Sequence, residues 1–147
     1  VKRPTGRGRP SAAELLTEPV LAVPPGMDVR SGLRIMHRHH TRHLPVVEGR
    51  HCVALVDEAD LLTALLGEQV DLLLAVGMVG RRPAPSVHRS ADRAEIAATM
   101  LAEDTDALIV LDGTEVVGLV TAFDLVRSLA VEAGARRVPG QRGGGPP

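Results

Sequence analysis

The chain has 147 residues, 44% of them hydrophobic, and sets 17 basic side chains against 18 acidic ones for a net charge near −1. That balance excludes a global field for nucleic acid or an anionic membrane, so any electrostatic recognition must be local. A single cysteine, Cys52, excludes an intramolecular disulfide framework and sets the expectation of a reducing, cytoplasmic compartment.

Residues 1–10, VKRPTGRGRP, are rich in Pro, Gly and Arg and predict a flexible tail. Ala12 to Thr17 predicts a brief helical turn and Val20 to Val23 a short strand. Pro24-Pro25-Gly26 separates that strand from a helix over Asp28 to His39, with Val29, Gly32, Leu33, Met36 and His40 on one face. Leu44 to Val47 and Cys52 to Val56 are β-branched runs around Glu48-Gly49-Arg50, the pattern of a hairpin. Asp57 opens a helix that runs through Leu66 and stops at Gly67.

The longest apolar stretch, Val70 to Val79, carries Asp71 and Gly77 and is too short to span a bilayer, and the N-terminus lacks the apolar core of a signal peptide. Leu72 to Val79 marks a junction, after which the order repeats. Ser86-Val87 predicts a strand, Asp92 to Glu103 a helix, Ala107 to Leu111 and Val116 to Val120 a hairpin around Asp112-Gly113, and Thr121 to Glu132 the last helix. Residues 134–147 predict a second flexible tail.

The repetition is internal duplication. Residues 19–68 and 83–132 align at a constant offset of 64 without a gap, and fifteen of the fifty positions are identical, among them Asp28/Asp92, Met36/Met100, Thr41/Thr105, Gly49/Gly113 and Asp60/Asp124. The expected organisation is two βαββα units, residues 11–68 and 69–133, in an α/β (α+β) fold. A unit of this size is marginal alone, so the two should share one core.

The most specific segment is Gly118-Leu119-Val120-Thr121-Ala122-Phe123-Asp124, a hydrophobic strand that runs into a helix start. A glycine there permits close approach, a hydroxyl sits at the N-cap, and a carboxylate follows three residues later. Thr121 and Asp124 also form a capping box, which needs no ligand to explain it. The same junction recurs at the matching point of the first unit.

GLVTAFDLV, the HLPVVEG segment from His43 to Gly49, the paired Pro19–Val23 and Pro83–Val87 segments and the Met36/Met100 positions together resemble the CBS-domain family, as a tandem pair or Bateman module. The resemblance covers Ala12 to Glu132. It implies two repeats about a pseudo-two-fold axis, with a cleft between them for an adenosine-containing ligand such as AMP, ADP, ATP or S-adenosylmethionine and no obligatory cofactor. It further implies that Asp124 takes the ribose hydroxyls, that Thr121 and the helix N-terminus hold phosphate, with Gly118 allowing close approach, and that Ser86, Val87, Ile109 and Val110 line the adenine. A helix N-terminus favours an anion on general grounds.

The first unit departs from this pattern at Ala54-Leu55-Val56-Asp57-Glu58-Ala59-Asp60. Asp60 keeps a ribose contact open, but Asp57 replaces the threonine, and a carboxylate about 5 Å from a phosphate costs roughly 3 kcal/mol per charge pair at an effective dielectric of 20. The second unit is therefore expected to hold the competent nucleotide site. The first is expected to be empty or to take an uncharged nucleoside or a cationic adenosyl group.

His37 to His43 places six potentially cationic side chains in seven positions. His39 and His43 have helical metal-ligand spacing, but the turn after the helix breaks that geometry and no metal site is expected. The run complements a helix C-terminus; alternatively Arg42 or His43 faces the cleft and neutralises a polyphosphate.

No nucleophile elbow, Walker loop or paired Cys/His is present, so no catalytic residue is expected. Phe123 is the only aromatic residue, which disfavours single-stranded nucleic acid as a partner. The function expected is a regulatory module that senses an adenosyl ligand and signals to an unidentified protein target, without a membrane. The alternative is an adaptor whose clefts are vestigial. In either case Leu61, Leu62, Leu65 and Leu66, with Leu125 and Leu129, offer apolar helix faces for a homodimer.

Overall fold

A computed structural model describes residues 9–16, 21–67 and 74–136. The expectations for Thr17, Pro19, Val20, Leu72 and the tails before residue 9 and after residue 136 lie outside the described residues, while residues 134–136, expected in the C-terminal tail, instead continue the last helix. Each unit is built around an antiparallel hairpin, β1 (His43–Glu48) with β2 (His51–Asp57) and β4 (Ala107–Asp112) with β5 (Glu115–Thr121), turning at Gly49 and Gly113. Those two glycines have φ of 63° and 61°, which is why a residue without a Cβ stands at each. A third strand adds parallel to each hairpin: β3 (Ser86–His88) along β4, and in the first unit the single residue Val23 against Val46.

The sheets are packed by α2 (Val29–His39) and α3 (Glu58–Leu66) in the first unit and by α5 (Arg93–Glu103) and α6 (Ala122–Arg136) in the second. Asp28 caps α2 through the Ser31 N–H, and Asp92 caps α5 in a reciprocal box with Glu95. Both helices end on a left-handed residue, His40 (φ 51°) and Asp104 (φ 49°). His40 was expected on the apolar face of α2; as the left-handed cap it is instead exposed, because the reversal of φ ends the helical period one residue early.

Two short helices, α1 (Ala12–Leu15) and α4 (Val76–Val79), cross to the opposite unit. The Ala12 and Ala13 N–H groups donate to the Ala91 and Arg89 carbonyls at 2.7 and 3.0 Å. In the matching exchange, the Val76 and Gly77 N–H groups donate to Met27 and Pro25 at 2.8 and 3.0 Å. The leading helix of each unit thus completes the other unit.

The core is correspondingly divided. Val23, Val29, Met36, Leu44, Leu61 and Val76 form one buried cluster, Ala12, Ile96, Met100, Leu108 and Val120 another, and Leu55 meets Ala107 and Ile109 between the units. The expected single shared core is replaced by two cores and a junction. Exchange of α1 and α4 gives each sheet a lid, so each unit can close over its own apolar face.

Candidate functional site

Between the units lies a cleft of about 650 Å³, within the roughly 300–1,000 Å³ common for small-molecule sites. Repeat 1 supplies Leu55, Asp57 and Asp60 from β2 and α3 and His43 from β1; repeat 2 supplies Arg81 from the segment between α4 and β3, the C-terminal half of α5, the turn through Asp106, and Ala122 and Leu125 of α6. Arg81 is held there by reciprocal backbone bonds with Leu55 at 3.2 and 2.8 Å. Its guanidinium donates to the Asp104 carbonyl at 3.4 Å, which ties the Leu55-bound segment to the turn after α5. The walls between the charges are aliphatic.

Asp57 is the N-cap of α3, and its carboxylate accepts the Asp60 N–H at 2.7 Å. Two carboxylates three residues apart therefore share one helix start. Burial, then the Asp57 charge, pushes the Asp60 carboxyl above its ordinary value. His43 is 8% exposed, and its Nε2 lies 2.7 Å from Asp106 Oδ1, bridging the repeats. Arg42 is exposed and borders a smaller hollow beside Asp57, Glu58 and Asp106.

The remaining sequence-derived residues do not gather in one place. Asp124 is 5% exposed and borders a groove of about 720 Å³ between α1, the start of α5 and α6. Its Oδ2 accepts the Thr121 N–H and hydroxyl at 2.8 and 3.0 Å, its own N–H donates to Thr121 Oγ1 at 3.4 Å, and Arg127 stands 3.7 Å from Oδ1. This is the capping-box geometry. We expect Thr121→Ala to lower the unfolding free energy by about 1 kcal/mol in urea titrations.

Three positions expected at a ligand wall serve packing instead. Val87 and Val110 point into the buried cluster of the second repeat, because register pairs them and alternation turns Ser86 and Ile109 to the other face. Ser86 and Ile109 border a hollow of about 230 Å³ with His51 and Cys52. Gly118 is covered by Leu16: a Cβ there would lie 2.8 Å from the Leu16 Cδ2, so its space is filled by the exchanged segment.

Sequence reasoning missed Arg81, Asp104 and Asp106. The duplication carried a signal for the last two, since the offset of 64 sets Asp104 and Asp106 against His40 and Arg42, acidic residues in place of basic ones around the identical Thr41/Thr105. Among the described residues no three His, Cys, Asp or Glu side chains converge as a metal site, and no helix is long and apolar enough to cross a membrane.

The family model "CBS domain" matches the chain twice, over residues 12–67 and 76–131. Among solved structures, the CBS domain pair of protein MJ0100 in complex with 5′-methylthioadenosine and S-adenosyl-L-methionine is similar at 20% identity and a TM-score of 0.75, over 84% of this chain and 98% of that one. CBSX2 in complex with AMP is similar at 22% identity and 0.73, over 85% and 98%. Hypoxic Response Protein I with two coordinated zinc ions is similar at 19% identity and 0.71, over 80% and 97%. At these identities the likeness shows a shared fold. No curated protein matches the sequence.

Proposed function

This chain belongs to the CBS-domain family as a tandem pair, and from that premise we propose that it is a regulatory module that binds an adenosine-containing ligand and passes its occupancy to a protein target. The observation that carries this reading is the cleft of about 650 Å³ to which both repeats contribute. A ligand seated there touches both halves at once, so it can bias their relative packing by its differential affinity for two arrangements. Proteins of the same fold hold 5′-methylthioadenosine, S-adenosyl-L-methionine and AMP. Asp60 is the ribose-binding candidate in this cleft, and Asp124 with Thr121 its counterpart in the second repeat. Repeat boundaries at residues 11–68 and 69–133, a cytoplasmic location and the absence of catalysis belong to the same reading.

A second reading, an adaptor that works by self-association, is favoured by exposed apolar side chains on α3 and α6: Leu66 is 78% exposed, Phe123 64% and Val126 60%. The two readings separate in a thermal melt. A bound ligand raises stability by about 1.4 kcal/mol for each tenfold increase in its concentration beyond the dissociation constant. We expect the melting temperature to rise with at least one of adenosine, S-adenosylmethionine, AMP, ADP, ATP or NAD at millimolar concentration. Unchanged melting with all six overturns the sensor reading and leaves the adaptor.

A further inference from the structure

The turns after α2 and α5 are built alike. His40 and Asp104 share the left-handed conformation, the Thr41 and Thr105 N–H groups donate to Met36 and Met100 at 3.0 Å, and each threonine hydroxyl donates to the carbonyl two residues on at 3.1 Å. The Arg42 and Asp106 carbonyls accept from the first residues of α3 and α6 at 2.9 and 2.8 Å. With the backbone matched, the difference between the two turns is charge: His40 and Arg42 in one, Asp104 and Asp106 in the other.

It is the acidic turn that faces the inter-repeat cleft. There Asp104 and Asp106 join Asp57 and Asp60 from the first repeat, against one guanidinium, Arg81, and His43, which is engaged by Asp106. The start of α3, which elsewhere would offer N–H groups to a phosphate, has the Asp57 carboxylate on its Asp60 N–H. A phosphate monoester carries about −1.5 to −2 charges at neutral pH, and a carboxylate within a few ångströms repels each of them.

On the reading that this cleft binds an adenosyl group, we propose that it takes the phosphate-free class, a neutral nucleoside or a thioether or sulfonium derivative, and that Asp104 and Asp106 are the residues that reject the 5′-phosphate. The selectivity is supplied in trans: the ribose carboxylate comes from repeat 1 and the discriminating carboxylates from repeat 2. A sulfonium gains from the same four carboxylates that repel phosphate.

Calorimetry on the full chain with adenosine, S-adenosylmethionine and AMP tests this, with Asp60→Ala identifying the heat that belongs to this cleft. AMP should bind there at least about tenfold more weakly than adenosine in low salt, and the gap should shrink as ionic strength rises. In the Asp104→Asn/Asp106→Asn double variant the ratio should narrow at least about threefold; asparagine tolerates the left-handed position and keeps an acceptor for His43. Equal or tighter binding of AMP in the wild-type cleft, or a ratio unmoved by the double variant, overturns the proposal. If none of the three ligands gives heat that Asp60→Ala removes, the binding reading of this cleft itself fails.

Discussion

Leu61→Ala should lower the unfolding free energy by about 2–5 kcal/mol, the range for truncating a leucine in a packed core, while Leu125→Ala, the same residue in the second repeat, should cost less, roughly 1–2 kcal/mol, because its side chain is only partly buried at the edge of the second core. Leu61, expected on an apolar face open to a homodimer, is instead fully buried in the first repeat's core. Its Cδ1 and the Val76 Cγ1 lie 3.1 and 3.0 Å from the point where a Cβ on Gly32 would stand, so α2, α3 and the exchanged α4 meet at this side chain. Leu125 instead borders the inter-repeat cleft, half-buried. Urea unfolding of the two variants measures the difference. Equal costs would show that the two repeats are packed alike at this position, against the asymmetry described above.

Gly77→Ala should destabilise by roughly 1–3 kcal/mol, the usual cost of forcing a methyl group into a filled site. A Cβ at Gly77 would lie 2.8, 2.9 and 3.0 Å from the Pro25 Cβ, O and Cα, two of them backbone atoms of a rigid ring residue. The Gly77 N–H also donates to that same Pro25 carbonyl at 3.0 Å, so relief by withdrawal stretches the bond that seats α4 on the first repeat. Gly134, by contrast, lies in α6 with nothing within 4 Å of its Cβ position. Gly134→Ala should therefore stabilise by about 0.5–1 kcal/mol through helix propensity alone. Denaturation midpoints of opposite sign for these two glycine-to-alanine changes are the expected result, and a neutral Gly77→Ala would mean that α4 is not held against Pro25.

Of the residues that line the cleft, the sequence pointed to Asp60, Asp57 and His43, because their signals are local. The capping box at Thr121 and Asp124 spans four residues, and its geometry follows from how a helix begins. The departure at Asp57 is equally visible, but the larger cause of the raised Asp60 carboxyl, its burial, is not; the Asp57 charge adds to it. The resemblance sets Val87 and Val110 at a ligand wall, whereas the alternation of side chains along β3 and β4 turns them inward. Short apolar runs do not announce which of their two faces is covered, since that depends on the helix laid over them.

By itself, the sequence determined the duplication, the βαββα order and the turn glycines, because each rests on a period, a spacing or a backbone preference that neighbouring residues impose. Only the tertiary structure decided that α1 and α4 change places, that Leu16 occupies the space over Gly118, and that the cleft is acidic. Those three facts depend on which distant segments meet: the cleft draws on residues 43 to 60, 81, 97 to 106 and 122 to 125. Its charge is a sum over chain segments that no local pattern brings together, because only the packing of the two repeats against each other sets them around one hollow.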